Sequence, residues 1–400
     1  MKRVGLRAAA PVILAVVALT ATACSSSSTN SSSSSSTGSS TSPIVIGVPV
    51  PLSGEYASAG VDILHGAQLA ADNINTAGGV LGRKIEVVGQ DDACLASTGS
   101  QAAQKLISQG IVAAAGGYCS TAAFPELEAF HRAGIPYVMD ASTNPELTEQ
   151  GFPQAFRTIG RDDEQGPIAA SYITSYLHAT RVAVGNDNST YAKGLAVATI
   201  AALQKDGAKV VFNNALTPGQ SDYTSFLTKV AQSKPQVFYY TGYYPEFGLL
   251  LKQAKQLGLK FQMMGGDANN DPTLLKTAGT AANGAMMTTA PLAQFLSSAT
   301  AYVSAYTAKY GTGPGPYSSY EYDAVGVVAQ AIKDAGSTTP SKITAALKTI
   351  SYNGITGDFH FDSVGDRQPV NYIVIIVQND QFAAFKKFDN TTNQWVNVNS

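Results

Sequence analysis

Two side chains that commonly act as nucleophiles, Cys119 and Ser120, are adjacent, and scattered carboxylates are available as acids and bases. The spacings that activate a nucleophile or hold a catalytic metal are missing, because the chain has no Ser-x-x-Lys, Gly-x-Ser-x-Gly or His-Glu-x-x-His sequence. A glycine-rich stretch at 78–84 lies between a predicted helix and a predicted strand, an order typical of a turn rather than of a phosphate loop. The sequence therefore predicts that the protein is not an enzyme.

Ser120 has a second chemical use, because it lies where a predicted strand gives way to a predicted helix. A hydroxyl and the backbone N–H groups at a helix N-terminus can together hold a carboxylate. A simple helix cap is the alternative, since serine is favoured at that position. Position along the sequence leaves both roles open.

The N-terminus has the features of an export signal. Basic residues precede an apolar run at 8–19 that is too short to span a membrane, and small residues lead into Cys24. We predict a signal peptide over residues 1–23 and lipidation of Cys24, with cleavage and no lipid as the alternative. Residues 24–42 are mostly Ser and Thr, which predicts a flexible linker that tethers an extracytoplasmic body to the cell membrane.

Two cysteines remain once Cys24 is assigned to processing. In an exported chain, Cys94 and Cys119 are predicted to form a disulfide, with two buried free thiols as the alternative. The chain has four histidines, and no Cys or His pair has the spacing of a zinc site. The sequence predicts neither a metal nor a cofactor.

The charges are balanced, with 26 basic and 28 acidic residues scattered along the 400-residue chain. Nucleic-acid binding needs a basic surface that neutralises phosphates, so nucleic acid is excluded as a partner. A hydrophobic content of 44% in a chain of this length is sufficient for two cores.

Short apolar runs that alternate with helical patterns predict an α/β fold. Strands are predicted at 44–50, 84–91, 111–116, 136–139, 182–185, 210–215, 237–241, 262–265, 371–378 and 381–385. Helices are predicted at 61–76, 97–109, 121–133, 165–177, 191–206, 223–232, 246–257, 319–335 and 341–349. This succession predicts two doubly wound, Rossmann-like lobes, with a cleft between them where strand ends and helix starts converge.

Several short motifs, which occur in a fixed order along the chain, carry a family resemblance. They are Asp91-Asp92-Ala93-Cys94, Tyr118-Cys119-Ser120, Thr143-Asn144-Pro145-Glu146-Leu147-Thr148, Gln165-Gly166-Pro167 and Gly242-Tyr243-Tyr244-Pro245-Glu246. Together they resemble the leucine/isoleucine/valine-binding proteins of bacterial ABC importers, and the similarity extends from Ile44 to about Gln378. The resemblance implies a type I periplasmic-binding fold whose hinge consists of three crossovers.

The same resemblance implies the division of the chain and its function. The first lobe is expected to contain residues 43–161 and 291–369, and the second lobe residues 162–290 and 370–400. The protein is expected to act as a monomer that captures an amino acid and delivers it to ABC permease and ATPase subunits. Two alternatives stay open: a ligand that is an amide or an aromatic carboxylate, and a ligand-sensing receptor without transport.

On the first lobe, the resemblance implies three ligand-binding residues. Ser120 and Thr143 correspond to family residues whose hydroxyl groups meet the ligand, and Ala141 offers a backbone carbonyl beside them. A residue that only forms a turn is the alternative for Thr143, because Asn-Pro follows it.

On the second lobe, Tyr191 and Tyr243 correspond to aromatic residues that close onto the ligand, with core packing as the alternative. Asp267 corresponds to the acidic partner of the ligand ammonium. Its alternative role is to cap a helix that starts near Asn270.

Three positions depart from the family pattern. Asp267 stands where the family usually has Glu, Ala59 where a large aromatic is common, and Tyr118 where the residue is usually a smaller aliphatic. The ligand-binding residue Tyr118 places a phenol near the ligand. These changes predict a larger, aromatic or partly polar ligand side chain in place of Leu.

Overall fold

The computed structural model describes residues 42–398. The predicted signal peptide, the predicted lipidation site Cys24 and nearly all of the Ser-rich linker lie outside the described residues. Across residues 42–398, no helix has both the length and the apolar character needed to cross a membrane.

Five parallel strands form a first sheet, called here the small sheet. Its strands are β1 (Ile44–Val50), β2 (Ile85–Asp91), β3 (Ala113–Gly116), β4 (Tyr137–Met139) and β5 (Ala155–Arg157), in the spatial order β2-β1-β3-β4-β5. The accompanying helices are α1 (Ala57–Thr76), α2 (Ala96–Ser108), α3 (Ser120–Ala133) and the short α4 (Glu146–Glu149). All residues of β3, β4 and β5 are buried, as expected for parallel strands with helices on both faces.

A second sheet of eight strands, the large sheet, follows in the chain. Its strands are β6 (Arg181–Asn186), β7 (Lys209–Ala215), β8 (Val237–Tyr240), β9 (Gln262–Gly265), β10 (Met286–Thr289), β14 (Ile373–Gln378), β15 (Gln381–Asp389) and β16 (Gln394–Asn397). Their order is β16-β15-β14-β10-β9-β8-β6-β7, and β6 to β10 are parallel whereas β14 to β16 are antiparallel. The helices are α5 (Asp162–Ser171), α6 (Thr190–Lys205), α7 (Thr224–Gln232), α8 (Tyr244–Gln256) and α9 (Pro272–Ala278).

The chain returns to the small sheet between β10 and β14. This part contains α10 (Thr300–Tyr310), α11 (Ser318–Ala335), α12 (Pro340–Leu347) and a three-stranded sheet of β11 (Ser351–Gly354), β12 (Gly357–Phe361) and β13 (Arg367–Gln368). Helix α11 packs on α1, β3 and β4. The chain therefore passes between the two groups of elements three times, after β5, after β10 and after β13, as the family resemblance implied.

Most predicted elements occur close to their predicted positions, but several short ones were missed. The predicted helix at 165–177 begins at Asp162 and ends as a π-helical turn, Tyr172–Tyr176. Strands β5 and β10 have three and four residues, which is too short for a periodic pattern to appear. Helix α10 buries only Tyr302 and Tyr306, so its apolar stripe is too sparse to predict a helix.

Candidate ligand-binding site

The loop between β3 and α3 presents Ser120. Gly116 and Gly117 both have positive φ, and a Cβ on Gly117 would lie 2.2 Å from the Tyr137 hydroxyl, so this turn requires glycine. Cys119 occupies the N-cap position, which makes Ser120 the first residue of α3. The Ser120 hydroxyl is fully buried and accepts a hydrogen bond from the Asn144 N–H at 3.3 Å. The alternative interpretation of Ser120 as a simple helix cap is therefore wrong, because Cys119 holds the N-cap position.

A disulfide anchors this loop to the end of β2. Cys94 and Cys119 are bonded, with their Cα atoms 5.3 Å apart, as predicted. The Cys94 N–H also donates to Asp92 Oδ1 at 2.7 Å, so the cysteine is held by its backbone as well as by its sulfur.

The loop after β4 contains Ala141 and Thr143, and both residues are buried. Arg157 anchors this loop, because its guanidinium donates to the carbonyls of Ser142 and Asn144 at 3.0 and 3.1 Å. Asn144, rather than Thr143, makes the local turn, since its side chain accepts from the Glu146 N–H. The Thr143 carbonyl accepts from the Asp162 N–H at 3.0 Å, and the Thr143 hydroxyl lies beside the Asp162 carboxyl group.

Asp267 follows β9 on the other side of the cleft and is only 2% exposed. Its Oδ1 accepts from the Tyr191 hydroxyl at 2.7 Å, and its Oδ2 accepts from the Tyr317 hydroxyl at 3.3 Å. Burial raises the pKa of Asp267 above its ordinary value. The helix cap suggested as an alternative is wrong for Asp267, because Asp271 caps α9 by accepting from the Thr273 N–H at 2.7 Å.

Four tyrosine rings join Asp267 in a closed circuit, called here the tyrosine circuit. Tyr191 contacts Tyr243 with ring centroids 5.1 Å apart, and Tyr243 contacts Tyr118 at 5.5 Å. Tyr118 contacts Tyr317 at 5.5 Å, and the Tyr317 hydroxyl returns to Asp267. Two of the four rings come from each side of the cleft. The predicted residues Tyr118, Tyr191, Tyr243 and Asp267 are therefore brought together.

Two aromatic members of this site were missed by the sequence reasoning. Tyr317 comes directly before α11, and the Gly-Pro-Tyr sequence ahead of a predicted helix was its only signal. Tyr56 comes before α1, and its ring lies 4.9 Å from that of Tyr243. The Tyr56 ring also contacts the ring of Tyr244, whose hydroxyl donates to the Glu55 carbonyl at 2.8 Å.

Hydrogen bonds cross the cleft at both of its ends. Ser58 of α1 donates to Asp271 at 3.2 Å, and Asn144 donates to the Thr190 carbonyl at 3.1 Å. The hydroxyls of Thr121 and Thr190 are 3.1 Å apart. The two sides are therefore in contact around the tyrosine circuit, in a closed arrangement.

The site is acidic and aromatic. Burial raises the pKa of the Tyr243 hydroxyl, and the nearby carboxylates of Asp187, Asp162 and Asp267 raise it further. None of the residues of the tyrosine circuit carries a positive charge. Over residues 42–398, no group of three His, Cys, Asp or Glu side chains is arranged to hold a metal ion.

A buried site at the carboxyl ends of strands from two facing sheets is the arrangement of a two-lobed solute-binding protein. Residues 43–381 match the family described as periplasmic binding protein, and the chain belongs to that family. The predicted resemblance to leucine/isoleucine/valine-binding proteins is confirmed by its relatives.

An amino acid binding protein from Pseudomonas aeruginosa is 37% identical over 334 residues, which cover 83% of this chain and 89% of the relative. Leu/Ile/Val-binding protein homolog 1 from Brucella abortus is 33% identical over 332 residues, with the same shares covered. These relatives are solute-binding proteins and not enzymes, which agrees with the absence of catalytic motifs.

Solved structures agree with this assignment. The leucine-binding protein LivK from Thermotoga maritima has a TM-score of 0.80 at 30% identity, covering 85% of this chain and 97% of that one. The branched-chain amino acid binding protein LivJ from Streptococcus pneumoniae, in complex with isoleucine, has a TM-score of 0.79 at 29% identity, covering 86% and 98%. Membership of this family implies an extracytoplasmic location.

Proposed function

We propose that this protein is a monomeric, extracytoplasmic solute-binding lipoprotein that captures a zwitterionic amino acid and delivers it to an ABC importer. Its lobes are residues 43–161 with 291–369 and residues 162–290 with 370–400, a division supported by the three passages of the chain. Lipidation of Cys24 attaches it to the membrane. The ligand-binding residues are Tyr118, Ser120, Ala141, Thr143, Tyr191, Tyr243 and Asp267.

One observation carries the ligand class: a buried carboxylate faces buried hydroxyl groups across the cleft. A zwitterion needs a separate partner for each of its charges. Asp267 supplies a carboxylate for the ammonium, and the two phenols already bonded to it fix its orientation. Ser120 and Thr143 supply hydroxyl groups beside the N-terminus of α3, where a carboxylate is favoured.

A ligand that carries only a carboxylate fits this site poorly. It would bring a second negative charge into a buried region that already holds Asp267, and like charges in such surroundings repel strongly. An ammonium has the opposite effect, because it neutralises Asp267 where water cannot. The amino acid is therefore favoured over an aromatic carboxylate.

Calorimetry with a panel of the common amino acids, benzoate and acetamide tests this proposal. The wild-type protein should bind at least one amino acid, and Asp267→Ala should weaken that binding by several kcal/mol because the ammonium is left buried and unpaired. Asp267→Asn removes the charge and keeps the shape, so it should show most of the same loss.

Asp334→Ala serves as the matched control, since Asp334 is an exposed residue on α11 far along the helix from Tyr317. It should bind like the wild type. Tight binding of an amino acid by Asp267→Ala, or binding of benzoate in place of any amino acid, would contradict the proposed ligand class.

A further inference from the structure

The two polar anchors determine which surface the ligand side chain meets. With the ammonium at Asp267 and the carboxylate at Ser120, the surface between them consists of tyrosine rings. Tyr118 lies two residues before Ser120, and its ring contacts both Tyr243 and Tyr317. Because the Tyr317 hydroxyl reaches Asp267, these rings extend from one anchor to the other.

The rings are inclined to one another rather than stacked flat. The interplanar angles are 54° for Tyr118 with Tyr243, 64° for Tyr118 with Tyr317 and 50° for Tyr56 with Tyr243. Their centroids are 4.9 to 5.5 Å apart, within the range in which aromatic rings attract each other edge to face. A surface that alternates ring edges with ring faces suits a further ring better than a branched aliphatic group.

Two hydroxyl groups on this surface have no hydrogen-bond partner among the described residues. They belong to Tyr118 and Tyr243, each only 3% exposed. Burial raises the pKa of both phenols, so they stay protonated and can donate as well as accept. An aliphatic ligand would leave both groups unpaired, and a site with unpaired buried polar groups discriminates against such a ligand.

From the ring surface and its two unpartnered hydroxyls, we infer that the site selects an amino acid whose side chain is an aromatic ring bearing a polar group, such as the phenol of tyrosine or the indole of tryptophan. This inference rests on the proposed function, because it needs the two anchors to hold a zwitterion. It assigns side-chain selectivity to Tyr118 and Tyr243, with Tyr317 and Tyr56 completing the surface.

Calorimetry with tyrosine, tryptophan, phenylalanine, leucine, isoleucine, valine, lysine and arginine tests the inference on the full-length protein. Tyrosine or tryptophan should bind about tenfold more tightly than leucine. Tyr118→Phe keeps the ring and removes the hydroxyl, so it should weaken tyrosine binding roughly tenfold while leaving phenylalanine binding nearly unchanged. Tyr118→Leu should weaken binding of both aromatic ligands and reduce the difference between their affinities and the affinity for leucine.

Tyr302→Phe is the matched control, because the Tyr302 hydroxyl is also buried without a partner but belongs to a separate cluster of buried residues. It should leave all affinities unchanged. Thermal unfolding without ligand establishes that each variant is folded before its affinities are compared.

The possible results separate this inference from the proposed function. Binding that is tightest for leucine, isoleucine or valine overturns the aromatic selectivity but leaves an amino-acid site in place. Tightest binding of phenylalanine overturns the role of the hydroxyls, and tightest binding of lysine or arginine overturns both parts of the inference. If no amino acid binds to the folded protein, the proposed function itself fails.

Discussion

At the scale of single residues, buried carboxylates have different chemical states because different side chains surround them. Asp267 is held by two tyrosine hydroxyls, whereas Asp366 is held by Arg157 and Arg161 at 2.9 and 2.7 Å. Burial alone raises the pKa of a carboxyl group, and it does so for Asp267. For Asp366 the charge of Arg157 and the bonds from Arg161 outweigh burial, and the pKa is lowered.

A third situation occurs at Asp92 and Glu126, whose side chains are both fully buried. Glu126 Oε2 accepts from the Tyr137 hydroxyl at 2.8 Å, and Asp92 Oδ1 accepts from the Cys94 N–H. Their other oxygens, Asp92 Oδ2 and Glu126 Oε1, have no donor among the described residues. Burial and the charge of Asp92 raise the pKa of Glu126, which favours one proton held between the two carboxyl groups.

This pair predicts that stability falls as the pH rises from acid towards neutral. Burial raises the pKa of Asp92 to about 7, and burial followed by the charge of Asp92 raises the pKa of Glu126. Because both values lie above those of the unfolded chain, the stabilisation is complete at low pH and is lost as pH rises through the folded values. The free energy of unfolding should fall by roughly 1.4 kcal/mol per pH unit between about pH 4, the value of the unfolded chain, and about pH 7, the folded value of Asp92.

Thermal and denaturant unfolding between about pH 4.5 and 7.5 measures this effect. Glu126→Gln supplies an amide donor that does not titrate, so its stability should depend less on pH over the same interval. Parallel curves for the wild type and Glu126→Gln would show that the pair does not share a proton.

At the scale of elements, the ligand-binding loops are held by residues distant from them in sequence. Arg157, at the end of β5, is completely buried, and its Nη2 donates to the hydroxyl of Thr148 at 2.9 Å. Asp366 accepts from Thr148 as well as from both arginines. Tyr372 closes the arrangement by donating to the Arg161 carbonyl at 2.9 Å. The crossover after β5 and the crossover after β13 are thereby joined, next to the loop that carries Thr143.

Asp366→Asn should therefore lower the free energy of unfolding by about 3 kcal/mol, because a buried arginine loses its charged partner. The contribution is present at neutral pH and is lost as pH falls through the lowered pKa of Asp366, so the two proteins should converge in acid. Urea unfolding at pH 7, and at pH values lowered stepwise below the ordinary Asp value of about 3.9, measures both effects.

The exposed pair of Glu128 and Arg132 on α3 provides the matched comparison, since more than half of each side chain is exposed. Glu128→Gln should cost less than about 1 kcal/mol. If Glu128→Gln and Asp366→Asn lowered the free energy of unfolding equally, burial would not explain the strength of the Asp366 ion pairs.

At the scale of the whole molecule, polar contacts join the two sides of the cleft in addition to the contacts between tyrosine rings. Tyr244 reaches the backbone of Glu55, and Ser58 reaches Asp271, so the start of α1 is joined to the large-sheet side. Each such hydrogen bond contributes little net free energy, because water can replace either partner. A ligand that bridges both sides adds further contacts between them.

The proposed attachment to the membrane is tested by cell fractionation. Wild-type protein should sediment with membranes, whereas Cys24→Ser should be released or left unprocessed because it lacks the acceptor thiol for the lipid. Ser27→Ala, a change in the neighbouring linker, should behave like the wild type. An unchanged distribution of Cys24→Ser would remove lipidation from the proposed function.

The sequence by itself determined the alternation of strands and helices, since apolar runs and turn residues are local properties. It also predicted the Cys94–Cys119 pair, from the compartment and the cysteine count, and the candidate residues Ser120, Thr143 and Asp267, from motifs. These predictions depend on residues near one another in the chain or on a known pattern.

Only the tertiary structure decided which side chains meet. Tyr317 is 50 residues from Asp267 in the sequence, and the bond between them exists because α11 and β9 face each other across the cleft. Tyr244 lies 189 residues from Glu55, whose carbonyl accepts from its hydroxyl. No local sequence pattern predicts these contacts, because they form only when the chain has crossed three times between the two sheets.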